Sequence, residues 1–241
     1  MTAKIGLIGG VGWPATVAYY ETICRASGSE AIDAPDMSIE SLDMSKALEA
    51  LGKARADDED SWAAFDNYFS IALGRLAASG CKLAAIASVT PHIRLPAITR
   101  NSPIPVVSVV DATADLLASN PPKRAVILGT SFTMQGTLFD KALEDLGVEI
   151  IKPENDKITA LTELLHQYFY SGRGAAGHEA LIEYVRSIVT DPDNVLFVLA
   201  CTDLTPAFPE NVGQALFSSS GIRFLDTTAA HVDAILRASQ S

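Results

Sequence analysis

Cysteine is scarce in this chain. Cys24, Cys81 and Cys201 form no C-x-x-C pair, so neither a disulfide framework nor a zinc site is indicated. Basic charge is also short: 18 Lys and Arg stand against 29 Asp and Glu, a net charge of −11. That balance argues against nucleic acid or an anionic membrane as a partner, because phosphate binding needs a basic surface. No apolar run approaches the roughly 20 residues of a membrane span. The first residues pass from Met1-Thr-Ala-Lys4 straight into Ile5-Gly-Leu-Ile8 without a signal-peptide pattern. The expectation is a protein of the reducing cytoplasm that works on small molecules. An acidic chain can still hold a small acid, using helix N-termini, hydroxyls and backbone N–H groups.

Short apolar runs suited to buried parallel strands alternate with longer segments of helical period, which is the βαβ signature. The expected strands are Lys4 to Ile8, Met37 to Leu42, Leu83 to Ala87, Pro105 to Val109, Arg124 to Leu128, Val148 to Ile151, Val195 to Leu199 and Arg223 to Leu225. Helices are expected over Ala15 to Ala26, Asp60 to Ala78, Ala112 to Ala118, Thr133 to Leu146, Ile158 to Tyr170 and Gly177 to Val189. Asn120-Pro121-Pro122 breaks the pattern and places a boundary nearby. The fold expected is α/β, with two similar open parallel-sheet domains and the active site in the cleft between them. Residues 1–117 would form the first, completed by the C-terminal helix 226–241, and residues 118–225 the second.

The two halves repeat each other. Leu83-Ala-Ala-Ile-Ala-Ser88-Val-Thr90 leads on to Asp111-Ala-Thr113-Ala, and Val195-Leu-Phe-Val-Leu-Ala-Cys201-Thr202 leads at nearly the same spacing to Asp226-Thr-Thr228-Ala. Ile5-Gly-Leu-Ile-Gly9-Gly10 is echoed by Ala125-Val-Ile-Leu-Gly129-Thr130. Ser88 and Cys201 thus occupy equivalent strand ends, where open α/β sheets bind ligands. A proton-transfer site with one active side chain on each side follows as the first hypothesis.

Gly10-Val-Gly12-Trp-Pro-Ala15 formally satisfies the dinucleotide pattern G-x-G-x-x-A. Against that reading, Trp13 sits where a pyrophosphate would approach, the acidic candidates at the end of the second strand, Glu40 and Asp43, come too late, and the second half has no matching pattern. A tight glycine turn with Pro14 at the first helical position needs only backbone geometry. Cys201, at a strand end, is placed to meet N–H groups and the positive end of a following helix, which would lower its pKa and favour thiolate; buried structural packing is the alternative. Cys24 and Cys81 read as structural. His92 is placed either to reach the site or to bind a backbone carbonyl. His231 reads as core or as an orienting group, His166 and His178 as surface. Asp57-Asp-Glu-Asp60 reads as a solvated loop and helix N-cap, and Ser171-Gly-Arg-Gly-Ala-Ala-Gly177 as a flexible loop.

With these residues in view, the chain resembles the aspartate/glutamate racemase family, the cofactor-independent amino-acid racemases, over nearly its whole length. Four segments carry the resemblance: Ile5-Gly-Leu-Ile-Gly-Gly-Val-Gly-Trp13 with Tyr19-Tyr20, Ser88-Val-Thr90-Pro-His92, Leu128-Gly-Thr130-Ser-Phe-Thr133-Met, and Ala200-Cys201-Thr202-Asp203. It implies a mechanism in which two thiols flank the substrate α-carbon, one taking a proton and the other returning it on the opposite face, without pyridoxal phosphate. Carried onto this chain, Cys201 is the acid/base of one face and Ser88 stands at the other. Thr90, Thr130, Thr133 and Thr202 would hold substrate carboxylates, Lys157 a distal one, with Val11 and Val89 lining the site and His92 and Asp203 in support. The substrate would be an amino acid or related small carboxylic acid, and the family tends to dimerise.

The chain also departs from the family, whose strand-end segments usually read C-N-T-x-H and G-C-T-E. Ser88 replaces the first cysteine, Val89 the asparagine beside it, and Val11 a frequent methionine. A hydroxyl is a far poorer base than a thiol of pKa near 8.5. A deliberate Cys→Ser exchange would leave Val89 unexplained, so natural divergence accounts better for the pair. Three readings follow: a racemase or epimerase using Cys201 and Ser88; a one-thiol decarboxylase or isomerase that protonates an enediolate from Cys201; and a silent protein that binds a small acid.

Overall fold

The computed structural model describes residues 2–28, 30–55 and 57–240. Its elements run β1 (Ile5–Gly9), α1 (Trp13–Ser27), β2 (Met37–Ser41), α2 (Met44–Lys53), α3 (Ala63–Ala78), β3 (Leu83–Ile86), α4 (Leu95–Thr99), α5 (Val109–Leu117), β4 (Arg124–Leu128), α6 (Ser131–Gln135), α7 (Asp140–Glu144), β5 (Glu149–Ile150), α8 (Asn155–Leu164), α9 (His178–Ile188), β6 (Leu196–Leu199), β7 (Leu216–Ser219), β8 (Ile222–Asp226) and α10 (Thr227–Ser239). Two compact units result, Met1–Ser108 with Val232–Ser241, and Val109–His231. The division therefore precedes α5 instead of following it, and only the part of α10 after His231 joins the first unit. Among the described residues no helix is long and apolar enough to cross a membrane.

The first unit is built on a parallel sheet of order β2-β1-β3. Every residue of β1 and β3 is buried, as expected of uninterrupted apolar runs covered on both faces. Alternate side chains serve opposite layers. Ile5, Leu7, Leu83 and Ala85 pack with Tyr19 and Ile23 of α1 and with Val232 and Ile235 of α10, whereas Ile8, Ala84 and Ile86 pack with Phe65, Phe69, Leu73 and Leu76 of α3. The strand expected over Pro105 to Val109 contracts to one parallel bridge, Ala84 with Val106, because Pro103 and Pro105 offer no N–H to extend a ladder and α5 begins at Val109.

The second unit carries a sheet of order β5-β4-β6-β8-β7. All pairs are parallel except β7 with β8. In each unit the first strand lies between the next two, so the internal repeat seen in the residues reappears as topology. Strand β7 was not expected; it closes a hairpin at Ser220-Gly221, both at positive φ (53° and 81°), as a two-residue hairpin turn requires. Helix α2 was likewise unforeseen.

Two expected helices change course. The segment expected from Thr133 to Leu146 breaks at Gly136 into α6 and α7. That from Ile158 to Tyr170 leaves α8 in a π-helical turn, Leu165–Phe169. The glycine-rich loop after it is fastened and not free. Arg173 Nη2 donates to the Gln167 carbonyl at 3.1 Å, and Gly174 lies so close to Pro206 that a Cβ there would come within 2.6 Å of the proline's own.

Candidate active site

In the first unit, β1 and β3 end in the segments that carry Val11 and Ser88. Gly10 stands at φ +81°, and a Cβ on it would lie 2.1 Å from the Leu42 carbonyl oxygen, so only glycine fits this turn. Its N–H donates to Thr16 Oγ1 at 2.8 Å, and α1 starts at Trp13 with Pro14 in its first turn. The glycines of the G-x-G-x-x-A segment are thus accounted for by contacts within the chain, and Trp13 projects into solvent, 65% exposed.

Beyond β3 the chain passes through Ala87, half-buried Ser88 and buried Val89 into a 3₁₀ turn, Thr90–Arg94. Two devices hold this turn. Buried His92 bonds through Nδ1 to the Ser88 carbonyl at 3.0 Å, and Arg94 forks onto Asp66 of α3 and onto Glu59 while its guanidinium lies 5.0 Å from the Trp62 ring centroid. Glu59 comes from the acidic run, which Asp58 opens as a cap by accepting from Ser61 N. Burial pulls the His92 imidazole down to about 4, so at neutral pH the ring is uncharged and fixes the backbone of Ser88. Val11 packs at the margin of the α3 cluster.

In the second unit, β4 and β6 end side by side. Ala200 N donates to the Leu128 carbonyl at 2.7 Å. A Cβ on Gly129 would lie 2.9 Å from the Ala200 carbonyl oxygen, so the two strand ends approach as closely as backbone allows. Half-buried Thr130 and buried Thr133 share a hydrogen bond of 3.2 Å between their hydroxyls.

Cys201, 6% exposed, follows β6 and begins a 3₁₀ turn, Thr202–Ala207. That turn is anchored at its far end, where His178 Nδ1 bonds to the Ala207 carbonyl at 3.0 Å and Phe208 packs in an aromatic cluster with Phe217 and Phe224. His178 is therefore a structural group and not a surface one. Thr205 donates to the buried Asp226 carboxylate at 3.1 Å, which also accepts from Thr228 N at 2.8 Å. Burial raises Asp226 to about 6.

The electrostatics of Cys201 reverse the expectation of a favoured thiolate. Burial, and next to it the negative charge of Asp203, push the thiol well above its ordinary range. A short 3₁₀ turn does not supply the aligned dipole of a longer α-helix. The thiol donates to Asp203 Oδ2 at 3.8 Å. Asp203 is itself raised to about 6 by burial, and its Oδ1 has no hydrogen-bond partner among the described residues. Cys201 thus rests as a protonated thiol beside a carboxyl group that is ready to titrate.

Thr202 is buried beside Cys201. Lys157, on α8, donates instead to Ser187 Oγ of α9 at 3.3 Å. A residue that periodicity did not single out is Tyr170: its phenol is pushed above its usual range by desolvation and then by the charges of Cys201 and Asp203. The π turn that carries the chain to Tyr170 has no sequence signature, so nothing local marks it. Among the described residues no group of three or more His, Cys, Asp and Glu could hold a metal ion.

The family model described as Asp/Glu/hydantoin racemase matches residues 8–235, taking in both strand-end segments. The chain belongs to that family, and racemases are isomerases. It is 25% identical over 136 residues to the broad specificity amino-acid racemase RacX of Bacillus subtilis (strain 168), a match that takes in 54% of this chain and 56% of the relative. The chain thus spans little more than half the length of that curated relative. The fold is shared with an aspartate racemase homologue from Pyrococcus horikoshii OT3 (TM-score 0.78, 22% identity, 99% of this chain and 100% of the other). It is shared also with an aspartate racemase from Picrophilus torridus (TM-score 0.74, 19% identity, 99% and 94%).

Proposed function

We propose that this protein is a cofactor-independent racemase or epimerase of an amino acid or related small carboxylic acid, with Cys201 as principal acid/base and Ser88 serving the opposite face of the same α-carbon. The observation that carries the reading is a buried strand-end thiol hydrogen-bonded to a carboxyl of raised pKa, in a chain of the racemase family. Thr130, Thr133 and Thr202 hold the substrate carboxylate in this reading, with Thr90 on the Ser88 side. The resting Cys201 thiol first passes its proton to the Asp203 carboxylate, and as thiolate it then takes the α-proton; the Cα–H pair delocalises into the substrate carboxylate as an S–H bond forms. Ser88 then gives its hydroxyl proton to the other face, and the alkoxide recovers a proton from water. In reverse the resting thiol donates directly.

A second reading, one-thiol chemistry, is favoured by the protonated resting state of Cys201 and by the hydroxyl at position 88. In the decarboxylase form the bond from the α-carbon to one carboxylate breaks, CO2 leaves and the electron pair stays as an enediolate with the remaining carboxylate; the Cys201 S–H protonates one face, and the thiolate recovers its proton from solvent. Incubating L- and D-amino acids in heavy water and following the α-proton by NMR separates the two. The racemase reading expects α-deuteration with inversion. Incorporation on one face only supports the second reading. A broad panel including aspartate and glutamate that stays unexchanged excludes the first. Cys201→Ser should lower either activity by ~10²–10⁴-fold, the usual weight of a positioned acid/base, and Ser88→Cys should speed racemisation.

A further inference from the structure

Strand β8 ends at Asp226, which pairs in register with Leu199 of β6, two residues before Cys201. From there the chain turns back onto the Cys201 segment on both sides of the thiol. Ahead of it, Thr227 Oγ1 donates to the Leu199 carbonyl at 2.7 Å. Behind it, Thr205 Oγ1 donates to Asp226 Oδ1 at 3.1 Å and stands 3.3 Å from Thr228 Oγ1. The stretch from Leu199 to Thr205, with Cys201 inside it, is therefore tied at each end to the run Asp226-Thr227-Thr228. All of these residues belong to the second unit. Asp226, Thr227 and Thr228 are at most 2% exposed and Thr205 6%, so water competes little for these bonds.

A buried carboxylate is more than the start of α10 requires. Asp226 accepts the Thr228 N–H at 2.8 Å as an N-cap does, and an asparagine or serine would serve that purpose as well. Burying a carboxylate costs free energy unless donors surround it. One of its donors, Thr205, lies on the turn that follows Cys201 and takes no part in the cap. That turn needs outside support. Its 3₁₀ hydrogen bonds are of poor geometry, and Pro206 within it brings no N–H. His178 holds the turn at Ala207; Asp226 holds it two residues nearer the thiol.

We propose that Asp226 is a positioning residue for Cys201: through Thr205, and with Thr227 on the Leu199 carbonyl, it fixes the turn that presents the thiol to the substrate α-carbon. The inference rests on the acid/base reading of Cys201 for its effect on turnover, while the bracing itself stands apart from turnover. Thr205→Val keeps the side-chain shape and removes the hydroxyl. Because a misplacement of ~1 Å costs about 10²-fold in rate, this variant should lower α-proton exchange at saturating substrate by about 10–10²-fold with KM little changed. Thr205→Ser should restore most of the loss. Asp226→Asn, which keeps an acceptor oxygen, should lose less than Asp226→Ala, and Thr205→Val added to Asp226→Ala should cost little more, because both cut one linkage. Without substrate, iodoacetamide should alkylate Cys201 faster in Thr205→Val than in the unaltered protein, while amide hydrogen exchange over β4, in the same unit, stays as slow as before. Alkylation unchanged in Thr205→Val, or protection lost in β4 as well, overturns the proposal: Asp226 would then only cap α10 or stabilise the unit as a whole. Faster alkylation with undiminished α-proton exchange overturns it too. If the unaltered protein exchanges no amino acid, the racemase reading fails, and the alkylation rate still decides whether Asp226 braces the thiol.

Discussion

Cys201 keeps its proton at rest because two effects of packing act in the same direction: the thiolate would lose its hydration, and it would face the charge of Asp203. Asp203 bears a cost of its own. Its carboxyl titrates near 6 in the fold against about 3.9 in an unfolded chain, so the folded state binds the proton more tightly. The stability attached to that proton is fully present below about pH 4 and is lost as pH rises through 6. Asp203→Asn should therefore stabilise the protein by about 1–3 kcal/mol at pH 7 and by little at pH 4, as urea unfolding at the two pH values would show. The same substitution should lower the Cys201 thiol pKa, read as faster alkylation of the Cys201 peptide at pH 8. Equal stability gains at both pH values would mean that Asp203 is not held by desolvation. That one thiol and one hydroxyl follow corresponding strands, β6 and β3, could be read from the residues. The protonation of the thiol could not, because it depends on burial in a cluster that also draws on residues far off in the chain, among them Val126, Leu161 and Leu181.

At the scale of elements, the proposed chemistry would depend on how closely β4 and β6 end together. Gly129 is the residue that permits it. Gly129→Ala places a methyl 2.9 Å from the Ala200 carbonyl oxygen and 3.2 Å from Thr133 Cβ. Overpacking of this kind costs about 1–3 kcal/mol, and the relief must move Thr130 or Cys201. Exchange activity should consequently fall by a larger factor than the stability loss accounts for, with denaturant unfolding and heavy-water exchange measured on one sample; activity that survives intact would show the strand ends to be mechanically independent of the site. The strands themselves were legible because a run buried on both faces must be continuously apolar. Helix interruptions were not. The π turn at Leu165–Phe169 and the break at Gly136 answer to neighbours such as Gly177, whose close approach to Phe169 and Tyr168 leaves no room for a Cβ.

For the whole molecule, the chain crosses back on itself in α10, which starts beside Asp226 in the second unit and ends in the core of the first. Val232 and Ile235 are fully buried against Ile5, Leu7 and Tyr19, and Ala3 N donates to the Ser239 carbonyl at 2.7 Å. A chain ending at His231 loses two buried aliphatic side chains, each worth about 1.5–3 kcal/mol. The first unit should then be cleaved by trypsin well before the second, as mass spectrometry of a digestion time course would reveal; equal resistance of both units would show that α10 is dispensable to the first. By itself the sequence determined the α/β class, the internal repeat and the family, because periodicity, apolar runs and motifs are properties of neighbours along the chain. Only the tertiary structure decided where the units divide, that Cys201 holds its proton, and that Lys157 turns to α9. Each of these is set by desolvation or close packing among residues far apart in sequence, and no local pattern encodes such terms.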